Sequence, residues 1–154
     1  MNAPIVRRSG IRDVEFGENV VVVEPTNMYE CVIGSGCVIG PYCEIQSNVV
    51  VGARTKIQSH TFICSLVEIG QDVFIGHGVM FVNDLFQKGG PAKGDTSKWR
   101  HTKVGNRVAI GSNATILPVE IEDGCVIGAG AVVTRDLRIA GIYAGNPARL
   151  LRKI

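Results

Sequence analysis

Aromatic residues are scarce, at 6% of a 154-residue chain with one Trp, and the net charge is only +2 at pH 7. So small a charge gives no global reason to expect nucleic acid or a membrane surface as partner. No apolar run is long enough for a membrane span or a secretory signal, so the expected location is the cytoplasm. The five cysteines, Cys31, Cys37, Cys43, Cys64 and Cys125, contain no C-x-x-C pair. That odd set suggests neither a disulfide framework nor a zinc knuckle, and they read as reduced core filler. Only three histidines are available for acid–base or metal chemistry. What is abundant is glycine, with 19 residues, together with Val and Ile. That mixture favours many short strands joined by tight turns, in one domain spanning 1–154.

A six-residue period organises the chain. Ile33, Ile39, Ile45, Val51, Ile57, Ile63, Ile69, Ile75 and Phe81 follow one another without a slip. Four residues after each of the first eight stands a compact residue: Cys37, Cys43, Val49, Thr55, Thr61, Val67, Val73 or Val79. The compact residue and the next bulky one are two apart, which puts both on the same face of a short strand. Each hexad is therefore one strand and one corner, and three hexads make a triangular coil. Glycine follows the bulky residue at Gly34, Gly40, Gly52, Gly70 and Gly76. The expectation is that these glycines relieve strain in a tight corner.

The frame runs back through Met28, Val22 and Phe16, so the prism should begin near residue 14, after a lead-in strand or cap. It resumes at Val104 and continues through Ile110, Ile116, Ile121, Ile127 and Val133. Between these runs, residues 84–103 read DLFQKGGPAKGDTSKWRHTK and break the period. They should form a loop thrust from one corner, and loops of this length in compact domains are commonly functional. Residues 138–154 should cap the last coil.

The hexads IGSGCV, IGPYCE, VGARTK and IGQDVF, the inserted loop and the ending IGAGAVVTRDLRIAGIYAGNPARLLRKI resemble those of the hexapeptide-repeat acyltransferases. The resemblance implies an all-β, left-handed parallel β-helix with one long extruded loop and a short C-terminal helix. It also implies acetyl-CoA as co-substrate, no metal, and a homotrimer with active sites between chains. The stretches VVVEPTNMYECVIG, EIQSNVVVGARTKIQSHTFIC and FIGHGVMFVNDLF are similar to N-acetyltransferases of nucleotide-linked amino sugars, enzymes of surface-polysaccharide biosynthesis.

Counting along the coils places Asn83 at the root of the loop, where O-acetyltransferases of this architecture often carry a catalytic histidine. A sugar hydroxyl needs a general base, whereas a sugar amine is partly neutral near pH 8 by analogy with an α-amino group, at about that pKa. Asn83 therefore points to an amine acceptor, with His60, then His77, as candidates for proton removal. Gly111, Ala129, Ala144 and Gly145 offer a shallow groove of small residues for CoA, and Arg149 and Lys153 offer cations for its phosphates. Glu24, Asn27, Tyr29, Asp84 and Lys88 are the candidates for the nucleotide-sugar acceptor. The bland readings are that Asn83 caps a turn, that the histidines are ordinary corner residues, that the loop lysines serve solubility and that the tail caps the solenoid. Two other functions fit the same repeat: O-acetylation of a small hydroxyl acceptor, with His60 or His77 as base, and a non-catalytic trimeric scaffold. A zinc-dependent carbonic anhydrase on this solenoid lacks its close H-x-x-x-x-H pair here.

Overall fold

The structure is a computed structural model that describes residues 4–6 and 8–154. Almost every strand has two or three residues, as expected when each hexad supplies one strand and one corner. The strands stack into three sheets of seven, six and eight, which are the three faces of a triangular prism. All pairings between successive coils are parallel, for example Phe62 with Glu44 and with Met80. The chain is a left-handed parallel β-helix of about seven turns.

The core is a set of columns. Met28, Ile45, Ile63, Phe81, Ile116 and Val133 line one face from inside, and every one is at most 1% exposed. Burying each of these side chains contributes about 1.5–3 kcal/mol, which is how strands of two residues persist. The compact position has a second task. Thr55 Oγ1 donates to the Gly70 carbonyl at 3.0 Å and Thr61 Oγ1 to the Gly76 carbonyl at 3.1 Å. In other coils Cys37 and Cys43 make the same kind of bond through sulfur, to Gly52 and Gln58 carbonyls at 3.2 and 3.1 Å. Threonine and cysteine suit this position because each is small and each carries a donor, while valine fills it in the remaining hexads.

The corners differ from the sequence expectation. Gly34, Gly40, Gly52, Gly70 and Gly76 are not the residues in left-handed conformation; that position lies two residues later, at Tyr42, Asn48, Arg54, His60, Leu66, Asp72 and Asn113 among others. The glycine is required by stacking instead. A Cβ on Gly52 would stand 2.5 Å from the Gly70 carbonyl carbon, because successive coils bring their backbones together at this point.

At the N-terminal end Ile11–Arg12 is the expected lead-in strand, paired with Met28–Tyr29. Phe16 keeps the core period but is 42% exposed, since no coil covers it. At the other end the expected helix is absent: Arg149–Lys153 is a strand running antiparallel to Gly141–Ala144. The exposed edge of the last coil offers unpaired backbone groups, and satisfying them outweighs the helix propensity of the Leu–Leu–Arg–Lys run. Loop residues leave the prism after Met80–Phe81 and return at Thr102, slightly before the sequence frame suggested.

Candidate functional site

One face of the prism gathers most of the residues singled out by sequence. Its strands are Asn27–Tyr29, Glu44–Ile45, Phe62–Ile63, Met80–Phe81, Thr115–Ile116 and Val132–Val133, preceded by Ile11–Arg12. Its outward column runs Asn27, Glu44, Phe62, Met80, Thr115 and Val132, alternating polar and apolar stretches. The corners at its two margins carry different groups.

The first margin precedes the strands. Here Pro41, Ser59, His77, Ser112 and Ala129 follow one another coil by coil, and Tyr42, His60, Gly78, Asn113 and Gly130 form the neighbouring column. The Ser59 hydroxyl meets Nδ1 of His77 at 2.9 Å, and the Ser112 hydroxyl accepts from the His77 backbone N–H at 3.2 Å. His60 is stacked on Tyr42, with ring centroids 4.9 Å apart. Both imidazoles are exposed. Glu24 belongs to this margin too, at the coil before Pro41.

The same margin continues into the predicted CoA residues. Gly111 faces the Gly128–Ala129 peptide of the next coil, and a Cβ on Gly111 would stand 2.5 Å from the Ala129 backbone nitrogen. Gly111 therefore serves coil stacking as well as leaving a narrow surface. Ala144 and Gly145 close the row, and Val132 N–H donates to the Gly145 carbonyl at 3.0 Å. Arg149 and Lys153 are exposed on the terminal strand, where Arg149 Nη1 donates to the Ala148 carbonyl at 3.1 Å. Arg149 stands opposite Ala144 at the end of this row, whereas Lys153 pairs with Gly141 at the other end of the hairpin and is not brought to it.

Asn83 stands at the opposite margin. Its Nδ2 donates to the Ser65 carbonyl at 3.1 Å, and the Ser65 and Ser47 hydroxyls meet at 3.1 Å in the coil before. The side chain is half-buried, and with Nδ2 anchored, Oδ1 is left as an acceptor. A single chain therefore does not unite Asn83 with His60 and His77, because a whole face separates the two corners. The six residues from His77 to Asn83 reach at most about 20 Å.

The proposed acceptor residues are dispersed as well. Glu24 lies at the first margin, Asn27 on the face and Tyr29 at the Asn83 margin. Asn27 Oδ1 accepts from the Gly10 N–H at 3.2 Å, and the Arg12 guanidinium sits 5.3 Å from the Tyr29 ring centre. Burial is the largest cause of a raised Tyr29 hydroxyl pKa. Asp84 is committed to the loop: its two carboxylate oxygens accept from the Phe86 and Ala92 N–H groups at 3.0 and 2.6 Å. Lys88 lines a cavity enclosed by the loop. Counting by 18 residues sets Ser59 one coil from His77, and the structure brings the two into contact; Ser112, which lies beyond the loop, was missed because the loop interrupts that count.

Solenoid coils with this period are built from hexapeptide repeats, and two stretches of the chain are similar to known families of that kind. Residues 30–65 match the family described as bacterial transferase hexapeptide, and residues 101–135 match the hexapeptide repeat of succinyl-transferase. Among curated proteins, the chain is 49% identical over 53 residues to a chloramphenicol acetyltransferase of Agrobacterium fabrum, covering 34% of this chain and 25% of that protein. It spans between 25% and 32% of the length of the three curated relatives with the strongest matches. Among solved structures, a variant of AntD, an N-acyltransferase from Bacillus cereus bound to dTDP and coenzyme A, superposes with a TM-score of 0.80 at 23% identity, over 90% of this chain and 82% of that one. A hexapeptide-repeat acetyltransferase of Vibrio cholerae, complexed with acetyl coenzyme A, gives 0.67 at 25% identity, over 79% of this chain and 69% of that one.

Proposed function

We propose that this protein is an acetyltransferase that moves the acetyl group of acetyl-CoA onto the amino group of a nucleotide-linked amino sugar, as a step of surface-polysaccharide synthesis in the cytoplasm. The observation that carries the reading is Asn83 at the root of the loop, its Nδ2 held by the Ser65 carbonyl. A carboxamide cannot act as a base at neutral pH, but its free Oδ1 accepts a hydrogen bond from an amine N–H and aims the nitrogen lone pair. Hydroxyl acceptors would call for a base at that position. The AntD relative, an N-acyltransferase bound to a nucleoside diphosphate, supports the amine and the nucleotide together.

Acetyl-CoA supplies an activated thioester. The amine nitrogen forms a bond to the acetyl carbon, the carbon–sulfur bond breaks, and CoA leaves as the thiolate, which takes up the amine proton directly or through His77. The row from His77 through Ser112 and Ala129 to Gly145 accommodates the pantetheine arm, with Arg149, opposite Ala144, toward its phosphates.

The two margins must meet for this chemistry, and a homotrimer achieves it. Only the face described above is bounded by both margins, and Phe62, Met80 and Val132 give its outward column apolar contacts beside the polar Asn27, Glu44 and Thr115. Three prisms turned inward on this face set the His77 margin of one chain against the Asn83 margin of the next. A three-fold axis along the prism preserves height, and His77 and Asn83 belong to the same coil, so they come level. Such closed cyclic assemblies are common for soluble proteins.

The test is an acetylation assay with purified protein, acetyl-CoA and matched amino- and hydroxy-sugar nucleotides, with mass determination by light scattering. Acetyl transfer to the amine alone and a trimeric mass are expected. Transfer to the hydroxyl instead, or no binding of CoA, overturns the reading.

A further inference from the structure

The inserted loop folds around a cavity of about 570 Å³. This volume lies within the roughly 300–1,000 Å³ of small-molecule sites. Trp99 lines it, together with Lys88, Lys93 and Arg100. The charge balance inside is one-sided. The only carboxylate in the lining, Asp84, has both oxygens occupied by backbone N–H groups of the loop itself. Lys98, also in the wall, is paired with Asp95 at 3.2 Å. Among the described residues, Lys88, Lys93 and Arg100 have no carboxylate partner. The cavity thus combines three cations that have no carboxylate partner with a half-buried tryptophan.

We propose that this loop cavity binds a nucleoside diphosphate, with Trp99 stacking on the base and Lys88 and Lys93 holding the phosphates. Every base presents a π-face, so one indole gives sequence-tolerant affinity, and ammonium groups suit phosphates as point charges. Trp99 is held by two neighbouring contacts, its own N–H to the Thr96 carbonyl at 3.1 Å and the next residue's, Arg100 N–H to the Asn83 carbonyl at 2.9 Å. That second bond joins the cavity wall to the residue proposed to orient the amine. A nucleotide anchored here therefore leads its attached sugar toward Asn83. The assignment rests on the acceptor being nucleotide-linked, and it gives Trp99 and Lys93 roles in acceptor binding.

Trp99 is the only tryptophan, so its emission reports on this cavity alone. Titrating the full chain with UDP or dTDP should quench it saturably. Lys88→Gln with Lys93→Gln should weaken binding by about ten-fold, and Trp99→Phe, followed by calorimetry, by about as much. Inorganic pyrophosphate, which has no base, should leave emission unchanged. An equal quench by pyrophosphate overturns base stacking, and an equal response to CoA assigns the cavity to the cofactor's own nucleotide and overturns the acceptor assignment. No saturable quench by UDP or dTDP while the amino sugar is still acetylated sinks the loop site and spares the proposed function. Quench and weakening as stated without acetyl transfer support the loop site and sink that function.

Discussion

Ser59 and His77 sit 18 residues apart in sequence and 2.9 Å apart in space, hydroxyl oxygen to Nδ1. They occupy the same corner position of successive coils, so the fold aligns them without any local signal. With Nδ1 engaged, Nε2 is the ring nitrogen left to exchange a proton. His60, by contrast, spends its ring face on Tyr42, which makes His77 the better candidate for proton transfer and reverses the order expected from sequence.

Replacing His77 by Gln should lower kcat/KM for an amine acceptor by about 10²-fold, at the low end of general acid–base effects. Ser59→Ala should cost less, because only the orientation of the ring changes. Steady-state kinetics of both variants check this. An unchanged kcat/KM in Ser59→Ala removes Ser59 from the mechanism.

Asn83→Ala should reduce kcat by about 10-fold to 10²-fold while leaving the affinity for CoA intact. The backbone bond from Arg100 N–H to the Asn83 carbonyl survives this change, so the loop stays attached. Steady-state kinetics beside a CoA titration separate an orienting role from a structural one. Equal losses in melting temperature and activity would mean that Asn83 only caps the loop.

Gly52→Ala should destabilise the prism by about 1–3 kcal/mol or more, since the new methyl meets backbone rather than a flexible side chain. The Cβ would stand 2.5 Å from the Gly70 carbonyl carbon. Gly90→Ala in the loop is the control: nothing lies within 4 Å of its Cβ position, and stability should change by less than about 0.5 kcal/mol. Paired denaturant titrations decide between them.

Burial pushes the Cys64 thiol up to about 12 and the Cys31 thiol to about 11, and it raises Cys37, Cys43 and Cys125 as well. Thiolate is the reactive form, so the raised pKa keeps these sulfurs protonated at pH 8. A disulfide reagent at pH 8 should titrate none of the five in the folded protein and all five in denaturant. Rapid modification of any thiol in the native state would contradict the packing.

The Asp123 carboxylate is held below the usual range, first by the Asn106 backbone N–H at 2.8 Å and then by the Asn106 side chain. A depressed folded-state pKa stabilises the fold fully above the unfolded value of 3.8, and the contribution is lost as pH falls through the lower folded value. Melting temperatures should therefore drop below about pH 4, and Asp123→Asn should flatten that part of the curve. An identical acid response in the variant would place the dependence elsewhere.

The hexad period was legible throughout because it is a local property: a compact residue, a gap of one, and a bulky residue make the same strand wherever they occur. From it alone came the three-faced prism, the core columns at Ile33 to Val133 and the position of the loop. The glycine positions were also visible, but their reason was not, since the clash that demands glycine at Gly52 comes from a residue one coil away. The tail shows the same limit. Residues 149–153 carry good helix formers, and only the unpaired edge of Gly141–Ala144 turns them into a strand.

What the tertiary structure decided is the grouping of functional residues. Stacking placed His77 above Ser112 and under Ser59. His77 and Asn83 stand on either side of the strand Met80–Phe81 in one coil, so their separation by a face follows from the hexad period; what stacking across the long loop decided is that Ser112 meets His77. The sequence by itself determined which side chains enter the core, through a period of six; three-dimensional register determined which polar corners stand together, because neighbours in adjacent coils are chosen by stacking and not by local pattern.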